Sequence, residues 1–434
     1  MARKKSKARR AVIVAGIRTP FVKAFTTFTK LNAIDLGVVA VEALLKKTGV
    51  ARGELDQLIW GTVIIPSASP NVAREISLDL RLPPQVQGHT CIQACASGLQ
   101  AITSAAATIE RGDADAIVAG GSDSTSNAEI KLPQKVVHAL APMAFGKASP
   151  SEMLGVLAQL WPIHELLPQK PEIAERTTGL SMGQSAEEMA RRNEISRQDQ
   201  DAFAERSHLR AAAAMESGRF DEEVAPVTTP EGRTVSVDGL VRADTSTEKL
   251  SRLRPVFARD GTLTAGNSSP LTDGGAAVLV MEEDKARSLG FTGLVHLTNW
   301  AYVGVDPADQ LLIGPALAMP AVLDKTGYAL ADMDLIDIHE AFAAQVLCVT
   351  KMLGSRAFAQ SRLGREEAVG EVDPEKLNVH GGSVSIGHPF GATGARMVNT
   401  MANELRITGK RRAILGLCAA GGIGGAALLE RLED

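Results

Sequence analysis

Two cysteines and two histidines stand in stretches otherwise built of glycine, alanine and serine. Cys95 lies in "TCIQACASGLQ", where a strand-like run passes into a helix. Unpaired backbone N–H groups at a helix start favour a thiolate. The placement therefore allows a nucleophile, although a cysteine taken alone is better read as buried and inert, and its partners must decide. His388, in "GGSVSIGHPFGATGAR", sits between Gly387 and Pro389 at a Gly/Ala-rich helix start at Gly391. A neutral imidazole there could take the proton of a nearby thiol. Cys418 ends the apolar run "RAILGLC" and enters "CAAGGIGG". Strand ends are where α/β folds hold ligands. A thiol at that place can act as acid or base towards a carbon acid, with loop N–H groups for an oxyanion. His339, in "DIHEAFAAQ", occupies a strand-to-helix turn as a polar group facing a cleft.

Two tempting motifs fail. His339-Glu340 opens like a zinc-protease signature, but the second histidine would fall at position 343, which is Ala. No metal is expected. "GGIGGA" loosely fits a dinucleotide fingerprint, yet a strand-like run follows it where a helix is required. Cys91 and Cys348 read as packing, and His380 as loop support.

The elements that must position these groups come in two copies. A helix is expected from about Ser97 to Arg111, then Gly112-Asp113, then the strand "DAIVAGG". A second is expected from Gly394 to about Ile407, then Gly409-Lys410, then "RAILGLC". A further strand follows each, "GGAAVLVME" from Gly274 and "GGAALLE" from Gly424. Alternating strands and helices imply mainly parallel sheets covered by helices. Pseudo-twofold pairing of the copies would bring the Cys95 and His388 helix starts to one centre. Roughly 150 residues intervene between the paired strands of the first copy. They include a long helical pattern, interrupted near Ser196, and an outer part from Lys131 to Pro171. The apolar cluster Leu154, Val156, Leu157, Leu160 and Trp161 in that part would make a helical lid, or a surface for a partner or membrane.

Composition is that of a globular protein, with 45% hydrophobic residues and a formal net charge of −4. Such a charge gives no reason to expect nucleic acid. Four unevenly spaced cysteines suggest reduced thiols. No apolar run approaches the ~20 residues of a membrane span. The basic start "MARKKSKARR" lacks a following apolar h-region, so a soluble intracellular protein is expected.

Taken together, "CASGLQA" at Cys95, "HEAFA" at His339, "GHPFGATGAR" at His388 and "CAAGGIGG" at Cys418 resemble the thiolase family. "RTPF" at Arg18, "TGLSMGQSAE" around Met182, "LRPVF" ending at Phe257 and "TAGNSSPLTDGGAA" agree, so the resemblance spans about Ala11 to Glu433. It implies an α/β thiolase fold, two duplicated βαβαβαββ halves in five layers with an inserted helical loop domain. Expected boundaries are 1–10 for a basic tail, 11–122 plus 250–288 for the first half, 123–249 for the insert and 289–434 for the second half. The resemblance implies an acyltransferase that cleaves 3-ketoacyl-CoA with coenzyme A, as in fatty acid β-oxidation. Cys95 would be the acylated nucleophile, His388 its base, and Cys418 the group that moves the C2 proton. His388 and a water held by His339 would make one oxyanion hole, and the backbone N–H groups of Cys95 and Ala420 the other. Coenzyme A contacts would fall to Met182, Arg242, Phe257, Ala265, Ser269 and Phe342. Coenzyme A and acyl-CoA are expected as substrates, with no permanently bound cofactor.

Two positions depart from the commoner family pattern. His339 stands where many thiolases carry Asn, and Ala420 where many carry Gly. Both, with "PQKPEIAERTTGLSMG", resemble the β-subunit of the fatty-acid-oxidation trifunctional complex. A homodimer or homotetramer is expected, with a hydratase/dehydrogenase α-subunit as partner and membrane contact through the insert as a further possibility. A cytoplasmic location is expected, or the mitochondrial matrix in a eukaryote. A biosynthetic thiolase, a ketosynthase-like condensing enzyme and a non-catalytic acyl-CoA-binding subunit are the alternatives; Cys418 argues against a ketosynthase.

Overall fold

In chain order the strands are β1 (Ala11–Arg18), β2 (Val22–Lys23), β3 (Gln57–Gly61), β4 (Gln87–Cys91), β5 (Ala116–Ser124), β6 (Val227–Thr228), β7 (Thr234–Val235), β8 (Thr272–Glu282), β9 (Val295–Gly304), β10 (Leu335–Ile338), β11 (Arg412–Ala419) and β12 (Ile423–Arg431). The computed structural model describes residues 8–146, 167 and 174–433. β10-β11-β12-β9-β1-β8-β5-β3-β4 is the order in one sheet, with β2 beside β8; β6 and β7 pair separately.

The duplication read in the sequence is visible in this order. β5 runs parallel to β3 and antiparallel to β8, as β11 runs parallel to β10 and antiparallel to β12. β1 and β9 close the two sets and pair with each other at Val12↔His296 and Ile13↔Val295, which joins the halves into one sheet. The copy of β4 has shrunk to a parallel bridge between Ile336 and Leu377.

Strand alternation sorts the side chains into layers. Ile117 and Ala119 of β5, and Ala413, Leu415 and Leu417 of β11, face a central cluster. Leu99 and Ile102 of the helix Ser97–Arg111 join them there, as do Ala395 and Val398 of the helix Phe390–Thr408. Ala116 and Val118 point the other way, onto Val41 and Leu44 of the helix Ala33–Thr48. Ile414 and Leu428 likewise meet Met319 and Val346 of the helices Gly314–Thr326 and Ala343–Leu353. Helices, sheet, central helices, sheet, helices: five layers result.

The two central helices touch backbone to backbone at their first turns. A Cβ on Gly98 would lie 2.3 Å from the Gly391 carbonyl oxygen, and one on Gly394 would lie 2.4 Å from the Leu99 nitrogen. Only glycine allows that approach. The His388 helix begins at Phe390, one turn before the Gly394 start read from the sequence. The buried Asp123 carboxylate explains the extra turn, because it accepts the Gly391 N–H at 2.6 Å.

The long helical pattern of the insert is two helices, Met182–Arg192 and Arg197–Glu216, broken where Ser196 caps the second through the Asp199 N–H. Residues 174–249 belong to the same compact unit as both halves, whereas Ala128–Ile173 forms a second unit. The described part of that second unit holds the helix Gln134–Phe145, which buries Val136 and Ala139. The Leu154–Trp161 cluster lies outside the described residues. Among the described residues no helix is long and apolar enough to cross a membrane.

Candidate active site

Cys95 stands two residues before the helix Ser97–Arg111, on a turn that Ser97 ties down. The Ser97 hydroxyl donates to the Ala94 carbonyl at 2.6 Å and accepts the Gln93 N–H at 2.8 Å. Ala94 pays for this turn with a left-handed φ of 46°. Such a conformation in a residue with a Cβ marks a backbone held by its surroundings. Cys95 itself keeps partial exposure.

His388 is reached from the other copy. Its backbone N–H donates to Thr272 Oγ1 at 3.0 Å, and its Nδ1 lies 2.7 Å from Thr393 Oγ1, one turn along the helix. Nε2 is buried and has no protein partner. His339 follows β10, with Nδ1 at 3.1 Å from Ser383 Oγ; its Nε2 is also buried and unpartnered. The two rings lie 4.2 Å apart, centroid to centroid. One nitrogen of each ring and the Cys95 sulfur all fall within 4.8 Å of one another. Cys418, at the end of β11, is fully buried and close enough for its thiol to feel the charge of Cys95. The Ala420 N–H bonds to the Cys95 sulfur.

The electrostatics correct one expectation. A helix start was expected to ease thiolate formation, but burial dominates and pushes the Cys95 thiol up to about 12. The N–H groups of Ala420 and of Cys95 itself act the other way and are outweighed, while Asp123 adds to the rise. Burial likewise holds His388 down at about 3, with the Arg396 guanidinium contributing. His339 is held well below its ordinary value by burial, then by His388 and Arg396. The resting pair is thus neutral thiol and neutral imidazole. Burial and the Arg396 charge disfavour a standing ion pair, so a nucleophilic role for Cys95 would require its proton to move as the sulfur attacks.

This fixes a pH dependence. The competent forms, neutral His388 and protonated Cys95, persist from just above pH 3 to just below pH 12. Acylation of the enzyme by acetyl-CoA should therefore show no inflection near the ordinary histidine value. Rapid-quench acylation rates between pH 5 and 9 check this (roughly the range where proteins tolerate titration,); a limb near 6.5 lost on His388→Gln would contradict it.

Several residues that hold the site in place were not singled out by the sequence motifs, although two of them lie inside those motifs. Arg396 is 1% exposed, lies 3.3 Å from Asp337 and donates to Ser383 Oγ at 3.5 Å. A Ser383 hydroxyl that accepts from Arg396 can donate to His339 Nδ1, leaving a proton on Nε2 directed at the site. Glu340 is buried beside it and accepts from Asn378, Ser207 and the Val384 N–H. Asp123 accepts from Thr62, Val63, Ile64 and Gly391, so one carboxylate fastens the β3 loop to the His388 helix. Burial raises Asp123 to about 6. Glu340 and Arg396 stand inside quoted motifs, but the bonds that give them and Asp123 a role reach partners 13 to 268 positions away in the chain.

Thr393 offers a direct test of histidine placement. Thr393→Val keeps the shape and removes the oxygen that faces Nδ1. One hydrogen bond of about 1 kcal/mol corresponds to a roughly fivefold fall in rate. We expect that fall in the acylation rate with KM for acetyl-CoA unchanged; a rise in KM at constant rate would show that Thr393 serves binding instead.

The expected coenzyme A contacts divide into two groups. Met182, Phe257 and Phe342 meet in one apolar cluster, the two phenyl rings edge to face at 5.7 Å. Gly183 is bare so that the Phe257 ring can lie against it at 2.2 Å from a would-be Cβ. Ser269 is fastened next to them, its N–H donating to the Ala341 carbonyl, and Ala265 is exposed on the turn Thr264–Asn267. Arg242 stands apart from the cluster, exposed, with its backbone N–H on His208 Nδ1.

Known proteins resemble the chain over nearly its whole length. The family described as "Thiolase, N-terminal domain" matches residues 11–284, and "Thiolase, C-terminal domain" matches residues 291–431. The chain belongs to the thiolase family. It is 42% identical over 427 residues to a 3-ketoacyl-CoA thiolase of Colwellia psychrerythraea, covering 98% of each chain. A 3-ketoacyl-CoA thiolase of Yersinia pestis is 44% identical over 423 residues, 97% of each. Among solved structures, the Bacillus anthracis acetyl-CoA acetyltransferase superposes with a TM-score of 0.83 at 34% identity, covering 98% of this chain and 99% of that one. Human mitochondrial 3-ketoacyl-CoA thiolase in complex with CoA superposes at 0.82 and 31% identity, covering 98% of both.

Proposed function

We propose that the chain is a 3-ketoacyl-CoA thiolase, an acyltransferase that splits 3-ketoacyl-CoA with coenzyme A into acetyl-CoA and a shortened acyl-CoA. One observation carries the reading: the Cys95 thiol meets a nitrogen of each of two imidazoles whose Nε2 atoms have no protein partner, with a second buried thiol beside it. Cys95 attacks the C3 carbonyl while His388 Nε2 takes its proton. The oxygen that becomes negative is held by the N–H groups of Cys95 and Ala420. Cleavage of the C2–C3 bond leaves the acyl group on sulfur and an enolate of acetyl-CoA. His388 and the His339 side stabilise its oxygen, and Cys418 returns a proton to C2. The thiol of a second coenzyme A then takes the acyl group from Cys95; its proton restores the Cys418 thiol, and His388 returns its proton to the released Cys95 sulfur. Preorganised donors in an enclosed site are worth more than in water.

The degradative direction, medium or long acyl chains and a hydratase/dehydrogenase partner form the finer part of the proposal. His339, Ala420 and the likeness of the insert to the trifunctional β-subunit support it, together with the 3-ketoacyl-CoA thiolase names of the relatives. Thiolysis of 3-ketoacyl-CoA substrates of increasing length, followed by loss of enolate absorbance on adding coenzyme A, tests both parts. Cleavage confined to the four-carbon substrate would leave a biosynthetic thiolase. No cleavage at any length would remove the proposal.

A further inference from the structure

The same three groups that suit acyl transfer also suit a metal ion. The two histidines carry buried Nε2 atoms with no protein partner, His339 fully buried and His388 5% exposed. One nitrogen of each ring and the Cys95 sulfur already lie within 4.8 Å of one another. Zinc bound to one thiolate and two imidazoles takes bonds of about 2.3 Å and 2.0–2.1 Å. Those bonds set ligand-to-ligand separations of roughly 3.3–3.6 Å in a tetrahedron. Closing by about 1 Å through side-chain rotation meets that requirement, and the structure need not be rebuilt.

The surroundings of the rings point the same way. A metal-bound imidazole normally gives its other N–H to an oxygen, which sets its tautomer. His388 Nδ1 faces Thr393 Oγ1 at 2.7 Å, and His339 Nδ1 faces Ser383 Oγ at 3.1 Å. Each hydroxyl has lone pairs free to accept that N–H, so both Nε2 atoms can be lone-pair donors at once. The sequence reading excluded a metal because position 343 is Ala, but that test covered only a helical His-x-x-x-His pair. The trio assembled here comes from three separate segments.

We propose that Cys95, His339 and His388 form a zinc site whose occupation switches acyl transfer off. Sulfur and imidazole ligands select a thiophilic ion over Mg²⁺ or Ca²⁺, which prefer oxygen. On binding, hydrated Zn²⁺ sheds water and forms one Zn–S and two Zn–N bonds. The Cys95 thiol proton leaves to solvent, and each imidazole only moves its proton from Nε2 to Nδ1 where needed. The fourth position stays open to water. Nucleophile and base are both engaged, so no acyl group can enter. Asn at position 339 would offer no such nitrogen, so thiolases with Asn there lack the third ligand and should escape.

Co²⁺ and Zn²⁺ titrations of the full-length protein test this without relying on turnover. Co²⁺ should give one equivalent of a tetrahedral spectrum with a thiolate-to-cobalt charge-transfer band, bleached when Zn²⁺ replaces it. Zn²⁺ should stop acylation, with full recovery on adding EDTA, while Mg²⁺ should do nothing. His339→Asn should weaken Co²⁺ binding by at least about tenfold, the upper span of what a lost ligand partner costs being larger still. Protein acetylated on Cys95 by acetyl-CoA should show no charge-transfer band, which keeps the test valid should the variant fold poorly. A spectrum without that band, or one equally strong in acetylated protein, would overturn the site. So would Co²⁺ affinity unchanged in a folded His339→Asn protein.

Discussion

Cys95→Ser should lower thiolysis by at least about 10³-fold and abolish the acetyl adduct seen by intact-protein mass spectrometry. Loss of a nucleophile from a concerted set of groups generally removes most of the catalytic advantage. Here the physical reason is specific. The proposed base, His388, is an imidazole that burial and Arg396 hold down at about 3. A base that weak can draw the proton from a thiol only as the S–C bond forms, and a hydroxyl is a far weaker acid. Serine would also lose the polarisable sulfur that makes the acyl group transferable to coenzyme A. The fold should not suffer, because Ala94 and Ser97 set the turn and Cys95 keeps partial exposure. Near-normal thiolysis by Cys95→Ser, or an acetyl group found on another residue of the wild type, would refute the assignment.

Cys418→Ala should separate the two half-reactions. Cys418 and Cys95 lie close together, yet only Cys95 receives the Ala420 N–H and faces both imidazole nitrogens. Burial and the neighbouring sulfur raise Cys418 well above an ordinary thiol. A buried, protonated thiol is suited to give a proton to a carbanion and to recover it as the reverse reaction runs. Its removal should slow C–C cleavage and condensation by on the order of 10²- to 10⁴-fold. Exchange of acetyl groups between acetyl-CoA and labelled coenzyme A, which needs only Cys95 and His388, should persist near its normal rate. Equal loss in both assays would mean that Cys418 supports the nucleophile rather than the proton transfer at carbon.

The proposed chemistry was largely legible in short motifs, and the reasons for its geometry were not. "CASGLQA", "GHPFGATGAR" and "CAAGGIGG" announce small residues at two helix starts and a strand end, because close backbone approach demands glycine and alanine in contiguous stretches. The duplication was legible as well, since Gly112 and Gly409 end equivalent helices with left-handed caps. The contraction of the β4 copy to a bridge at Leu377 was not, because a missing strand leaves no periodic signal. Nor was the Asp337–Arg396–Ser383–His339 chain, which links two segments whose bonds span 44 and 59 positions.

Local chain chemistry alone therefore determined which side chains could react, where the strands and central helices run, and that two copies must pair. Those properties depend on residue type and on neighbours within a turn or two. Tertiary structure decided the protonation states and the convergence of the site. Desolvation at Cys95 and His388 outweighs the local helix start, and desolvation is set by everything packed around a group rather than by its own segment. Whether His339 and His388 meet at 4.2 Å likewise depends on Asp123, Gly98 and Gly394, which let two distant segments share one centre.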